Sequence, residues 1–419
     1  MLTIATRTFP LLLGIGLLLV GIGLQGTFLA LRASFEQFSL TMTGLMMSAY
    51  FLGFIVGTFL CPKLICGVGH IRAFAAFAAI TAAAAIAHGI IIDPWLWTLL
   101  RIVTGTCMVG LYMVIESWLN AMAPNEQRGR FFAVYIIITL LAMAAGQYLL
   151  LLDDIGGYRL FSLTAFLVAL AVVPLALTRI NQPIAVTPPS INLGALYSKS
   201  PLGVSGTLIS GVNNGAFWGL GALFAQRIGM EETGIALFMS LTIIGGALLQ
   251  WPIGRYSDRY DRRHVLVMVS FITAVIAAFA FLAVDISHTL LIAISVAYGG
   301  FAFSIYGLSV AHVNDHLDAD AMLEASRNLL LLYGAGAALG PTVASFFMQK
   351  AGPGSLLLFL TATLLLLGTL GLYRLRVGPQ IPAEEQMDFA PMAGTSPVAL
   401  EMDPRLDAEA DTPGPPGTP

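Results

Sequence analysis

The chain has 419 residues, 57% of them hydrophobic and only 10% charged, with a net charge of −3. Soluble globular domains carry about 25% charged residues, so this composition argues against a soluble enzyme, a secreted disulfide scaffold and a disordered chain, and for a surface that faces lipid. No basic run or stripe suits a nucleic acid, and Cys61, Cys66 and Cys107 lack the second half of a zinc site and read as small apolar fillers.

A helix that crosses a bilayer needs about 20 apolar residues, because lipid cannot satisfy a free peptide group. Twelve stretches meet that need. Spans 1 to 6 run Phe9 to Leu31, Leu45 to Leu64, Ala73 to Ile92, Trp95 to Leu119, Phe131 to Leu152 and Leu160 to Leu177. Spans 7 to 12 run Leu202 to Ala225, Ile235 to Ile253, Val265 to Val284, Leu290 to Ala311, Ser326 to Met348 and Ser355 to Tyr373. Span 1 is too long for a signal-peptide core and no small-residue cleavage site follows it, so it reads as a retained helix. Between the two sets, residues 179–200 hold Asn181, Pro183, Pro188, Pro189 and Asn192, which mark a linker. Residues 377–419 hold nine prolines and no long apolar run, and are expected to be disordered. The expected fold class is an all-α polytopic membrane protein: a six-helix bundle over 1–178, a linker, a second bundle over 201–376 and an acidic tail.

The two sets resemble each other. Thr43-Gly44 is followed eighteen residues later by Pro62, and Thr233-Gly234 eighteen residues later by Pro252. A constant offset of 194 pairs Tyr112 with Tyr306, Asn120 with Asn314, Glu126 with Asp320 and Gly146 with Gly340. Each match alone is weak, but four at one offset suggest duplication, and a parallel repeat of six helices is a known transporter architecture. Fifteen Lys and Arg fall on the side of the termini and the linker, four (Arg32, Arg159, Arg227 and Lys350) fall on the other, and Arg101 lies inside the membrane. By the positive-inside rule both termini are expected in the cytoplasm. The tail holds one basic and eight acidic residues, the body nineteen and fifteen, so the net −3 is a body of +4 and a tail of −7. Two readings are open for that tail, no role or regulation, and no role is favoured.

The loop after span 8 reads Gly254-Arg255-Tyr256-Ser257-Asp258-Arg259-Tyr260-Asp261-Arg262-Arg263. It resembles the signature loop of the major facilitator superfamily: a Gly, then Ser-Asp-Arg, then Gly or Asp before two basic residues. Asp258 can cap the next helix or pair with Arg262 across the turn, and such a cluster can latch two bundles. The loop Pro62 to Arg72 departs from the pattern, with no aspartate, so a first-half latch is expected to be weaker; Glu126 to Arg130 offers a second charge cluster. Glu116-Ser117-Trp118, Arg128-Gly129-Arg130, Pro201-Leu202-Gly203-Val204 and Gln250 to Arg255 resemble the YcaD-type bacterial branch of that superfamily. The resemblance runs from about Phe9 to Arg376. It implies twelve helices and transport, and no particular substrate.

Ionisable groups at membrane depth are costly, so each needs a reason. Two sit well inside a span: Arg101 and Glu116, fifteen residues apart on span 4 and therefore about 22 Å apart along the axis. They cannot pair. Arg101, with Gly105 four residues on, resembles a motif of span 4 that the superfamily links with proton coupling; it can hold a carboxylate or an anionic substrate group, or snorkel to the surface. Glu116 can carry a proton or serve a structural gate with Arg72 or Arg130, and the gate is favoured; Arg327 is its expected counterpart on span 11. The resemblance implies a cavity lined by spans 1, 4, 7 and 10. Gln25, Tyr112, Asn213, Asn214, Phe217, Trp218, Tyr298 and Tyr306 are the lining candidates, and their aromatics and amides suit a flat or amphipathic molecule. Gly146 precedes Gln147 where Gly340 precedes Pro341, so the Gly-Pro motif of superfamily antiporters is incomplete on span 5, and Gln147 is a further contact candidate. His312 and His316 have zinc spacing but read as a solvated helix end.

The expected function is secondary active transport of a small organic solute across a bacterial inner membrane by alternating access, coupled to protons. The partners are solute, protons and lipid, and the protein is expected to be monomeric. Neither nucleic acid, metal nor cofactor is expected, and no Gly-rich phosphate loop is present to support an enzyme that hydrolyses ATP. A non-transporting sensor or lipid-handling protein on the same fold is the alternative.

Overall fold

The structure is a computed structural model that describes residues 2–123, 128–177, 193–317, 319–377, 386, 389 and 394–398. Glu126, the linker before residue 193 and the rest of the tail lie outside the described residues, as do the side chains of Arg7, Arg128, Arg130 and Asp320.

The described residues form helices and connecting turns without a strand. Among the described residues, eleven helices are long and apolar enough to cross a membrane. The twelfth, span 7, is the 27-residue helix Pro201–Arg227. It carries six glycines, Asn213 and Asn214, and most of its residues are buried inside the protein, so it needs little apolar surface for lipid. Span 10 is two helices, His288–Ala302 and Ser304–Asn314, that meet at Phe303. Span 6 divides in the same way into Arg159–Leu170 and Val172–Ala176. Span 11 is longer than expected, Ala319–Ala351.

Helix ends follow local chemistry. Asp93 accepts from the Leu96 amide at 2.8 Å, with Pro94 opening the span 4 helix Pro94–Met122. Gly69, at φ 86°, separates the span 2 helix Leu40–Val68 from the span 3 helix His70–Ile90.

Glycines set the packing, and they do so twice. A Cβ at Gly53 would fall 2.0 Å from the Ile102 carbonyl oxygen, and one at Gly105 would fall 1.9 Å from that of Tyr50. Spans 8 and 10 repeat the contact: Gly245 meets the Val296 oxygen at 2.0 Å and Gly299 the Thr242 oxygen at 1.9 Å. Gly146 on span 5 fits against Val20 of span 1, and Gly340 on span 11 fits against Val212 of span 7, at 2.4 and 2.2 Å. Close backbone approach of this kind is how membrane helices gain dispersion contact without a hydrophobic driving force.

The halves meet at the end of the molecule away from the linker. There Ser48 Oγ lies 2.8 Å from Thr342 Oγ1, Gly44 packs on Ser345, Thr41 bonds Gln349, and Ser240 donates to the Tyr148 hydroxyl at 3.1 Å. At the linker end a different element joins them. Seven residues of the tail, expected to be disordered throughout, lie against the helical body; Ser396 and Val398 are buried. Their uncharged side chains explain why this part of an acidic tail can enter it.

Candidate functional site

A cavity of about 260 Å³ lies between the halves. Its walls come from spans 1, 2, 4 and 5 on one side and 7, 8, 10 and 11 on the other. Of the sequence candidates, Arg101, Tyr112, Asn214, Trp218 and Tyr306 line it. Tyr50, Phe51, Phe54, Thr139, Gln250 and Phe303 also line it and were not among them, and neither was Tyr333. These sit mainly on spans 2, 5, 8 and 11, outside the four spans the resemblance singled out. Gln250 could have been found from the segment Gln250 to Arg255, which it opens; the others carry no periodic signal that separates cavity from core.

Arg101 is 5% exposed, its Cζ lies 4.4 Å from the centroid of the Tyr50 ring, and its Nε has no described partner. The face of Tyr50 offsets part of the cost of a buried cation. What remains is donor capacity beside an aromatic wall: Trp218 stacks on Phe303 at 5.6 Å, and Tyr306 packs on Tyr333 at 4.7 Å. Asn214 donates to the Tyr333 hydroxyl at 3.3 Å, while its Oδ1 has no described partner.

The other lining candidates lie off the cavity. Asn213 donates to the Leu360 carbonyl at 3.3 Å and to Thr363 Oγ1 at 3.1 Å, and accepts from the Tyr298 hydroxyl. Asn213 and Tyr298 therefore tie spans 7, 10 and 12 together inside one half. Phe217 packs on Phe238, Tyr298 and Phe303 in the same core. Gln147 donates to the carbonyls of Gly23 and Met143, both at 3.1 Å, and Thr27 donates to its Oε1, which fastens span 5 to span 1. Gln25 is 2% exposed and its amide has no described partner.

Glu116 is fully buried near the linker end of span 4. The Tyr135 hydroxyl donates to its Oε1 at 2.7 Å, and the hydroxyls of Thr395 and Ser396 also donate to this carboxylate. Arg327, half-buried, sits two turns into span 11.

The signature loop forms a buried ion cluster. Arg262 Nη1 meets both Asp315 oxygens at 2.6 Å, and its Nη2 meets Asp258 at 2.9 Å. The Arg262 and Asp315 side chains are each 1% exposed. The cluster ties the end of span 8, the start of span 9 and the exit of span 10, so these described partners all belong to one half. Asp261 caps the span 9 helix Arg262–Ala283 through the Arg263 amide at 3.0 Å and holds the Arg263 guanidinium at 2.8 Å. Burial alone would raise its carboxyl's pKa, but the Arg263 bonds and charge outweigh that and hold it below the ordinary value. Arg255 and Arg259 are exposed. Gly254 is buried with no room for a side chain: a Cβ there would fall 2.0 Å from the Phe389 ring of the tail. His312, expected at a solvated end, is 5% exposed, with the His316 ring 4.8 Å away, because the tail and the ion cluster cover it.

The comparisons with known proteins bear on the family and the fold. The sequence model of the Major Facilitator Superfamily matches residues 11–201 and 203–400. An uncharacterized MFS-type transporter, YcaD of Escherichia fergusonii, is 29% identical over 350 residues, or 83% of this chain and 90% of that one. Its counterpart in Salmonella heidelberg is also 29% identical, over 82% of this chain and 90% of its own. Among solved structures, nucleoside transporter NupG superimposes with a TM-score of 0.70 at 15% identity, covering 88% of this chain and 100% of that one. A bacterial homolog of the human lysosomal transporter Spinster, inward-facing and occupied, gives 0.71 at 13%, over 91% and 98%. At such identity these two likenesses speak for the fold alone.

Proposed function

Because the chain belongs to the major facilitator superfamily, we propose that it is a secondary active transporter that moves a small organic solute across the bacterial inner membrane by alternating access, coupled to protons. The proposed orientation puts both termini, the linker and the signature loop in the cytoplasm, on the charge asymmetry of the loops. The halves are closed at the far end, so in this orientation the cavity faces inward.

The observation that carries the reading is Arg101: a buried cation on the wall of a cavity between two duplicated bundles, with a donor free of described partners. We assign it to an acceptor or anionic group of the solute, with Tyr112, Asn214, Trp218 and Tyr306 forming the rest of the contact. Aromatic walls suit a flat or amphipathic molecule. Glu116, Gly254, Asp258, Arg259, Arg262, Arg263 and Arg327 are assigned to gating. Rocking of the bundles must open the far-end contacts of spans 2 and 11 and close the linker end, and these residues lie where that closure occurs. The protein is proposed to act as a monomer.

The test is a ligand screen by thermal shift, followed by proteoliposome flux with and without a proton gradient. A ligand that raises the melting point, moves across the bilayer and responds to the gradient supports the reading. Arg101→Ala should abolish binding of that ligand. Binding indifferent to Arg101→Ala overturns the site; a ligand that binds without flux favours the sensor.

A further inference from the structure

We propose that the linker-end mouth of the central cavity is a peptide-binding site, and that its ligand is the chain's own tail, which plugs the cavity. The tail carries eight acidic residues, yet none falls between Asp388 and Glu401. The twelve residues between them, Phe389 to Leu400, are uncharged, and the described residues that dock come from this stretch apart from Gln386.

The docked residues run from one half to the other. Gln386 lies against the crevice of Arg262, His312 and Asp315. The Phe389 ring fills a notch whose floor is two glycines, since a Cβ at Gly254 or Gly307 would fall 2.0 or 3.0 Å from it. The Phe389 amide donates to Asp258 Oδ1 at 2.8 Å. Gly394 and Thr395 form part of the cavity wall, with Gly394 beside Tyr306 and Tyr333. Thr395 and Ser396 then donate both hydroxyls to Glu116, and Val398, 1% exposed, joins the core of the first half.

The chemistry is selective. Each half offers a carboxylate to the docked segment, Asp258 and Glu116, and the described tail residues that bond them, Phe389, Thr395 and Ser396, are neutral donors. A buried carboxylate gains from such donors and is penalised by a second negative charge. An acidic group at position 395 or 396 would therefore expel the segment, while a neutral hydroxyl holds it. Phe389 recognises shape, because only glycine leaves room for its ring. That the plug stands in the path of a transported solute rests on the transport reading above; docking itself does not.

The test uses the full chain with Cys66, the exposed cysteine, replaced by serine; Cys61 and Cys107 are buried. Val398→Cys reports docking through its rate of reaction with a maleimide, and Thr139→Cys, on the cavity wall, reports access through a charged methanethiosulfonate. Docking predicts that Val398→Cys reacts far more slowly than in the denatured chain, and that adding Thr395→Glu speeds it about tenfold or more. Plugging predicts that Thr395→Glu also speeds the Thr139→Cys reaction. Val398→Cys reacting at the denatured rate overturns docking. A protected Val398→Cys indifferent to both Thr395→Glu and Ser396→Glu overturns the role of Glu116. A Thr139→Cys rate unchanged when the tail is expelled overturns the plug. A monodisperse gel-filtration profile establishes that each variant is folded. Neither readout involves transport, so failure of the transport reading would leave both standing.

Discussion

Replacing Gly105 with alanine should cost stability and loosen Arg101 in one step. The new Cβ would lie 1.9 Å from the Tyr50 carbonyl oxygen, where ordinary contact begins at 3.4 Å, so spans 2 and 4 must part by as much as 1.5 Å. The obstacle is backbone, and no rotamer change relieves it. Overpacking of this kind costs about 1–3 kcal/mol. The same movement carries away Tyr50, whose ring sits 4.4 Å from Arg101. Gly299→Ala is the matched control, because its Cβ would meet the Thr242 oxygen at the same 1.9 Å on a pair of spans where Ser295 stands in the place of Arg101. Thermal melts in detergent should show both variants lowered by similar amounts, and proteoliposome flux should fall further for Gly105→Ala. A Gly105→Ala protein that melts like the parent would refute the packing account. Equal flux losses in the two variants would refute the link to Arg101.

Asp315→Asn should destabilise the protein by about 3–5 kcal/mol, the usual cost of removing one partner from a buried ion pair, read as a lowered melting midpoint. Asp261 should contribute to acid sensitivity. Its folded pKa lies below the ordinary 3.8, so the stability it lends is complete above that value and is lost as pH falls through the lowered folded one. Asp261→Asn should therefore flatten the dependence of the melt on pH below about 4. Asn213→Ala and Asn214→Ala should behave differently although they are neighbours. The first loses a tie worth about 0.6 kcal/mol or more per hydrogen bond and leaves affinity for an identified ligand intact, whereas the second shifts affinity, and thermal shift with ligand separates them.

The helical architecture was legible because hydrophobic length is a first-order signal in lipid. Every expected span contains a helix, and the repeat offset of 194 pointed at Gly146 and Gly340, which prove to be matching contact glycines. The site was harder to read. Asn213 and Asn214 are chemically the same in sequence, but one turns into its own half and the other to the cavity, a difference of about 100° of helix rotation. Tyr50 is one aromatic among many until the glycine contact sets it beside Arg101. Asp315 carries no signal of its own in the sequence, because its partner Arg262 lies fifty-three residues away. The tail misled for a different reason: its average composition is acidic and proline-rich, and the average hides a twelve-residue neutral stretch.

Duplication accounts for where the charges ended up. The contact glycines are kept in both halves at matching distances, so the scaffold of spans 2 and 4 and that of spans 8 and 10 are under the same steric demand. The position four residues before the contact glycine is not kept: it is Arg101 in the first half and Ser295 in the second, where the serine hydroxyl merely donates to the Ile292 carbonyl at 2.7 Å. Tyr50, whose carbonyl faces Gly105, corresponds in the same way to Thr242, whose carbonyl faces Gly299. The second half thus holds the packing of the Arg101–Tyr50 pair without its cation or its ring. Its ionic interactions are instead gathered at the linker end, in the Arg262 cluster. Two charged sites in one cavity would double the desolvation cost. Arg101 on the cavity wall of one half, and the Arg262 cluster beside the mouth in the other, thus place their cations at different depths on a shared frame.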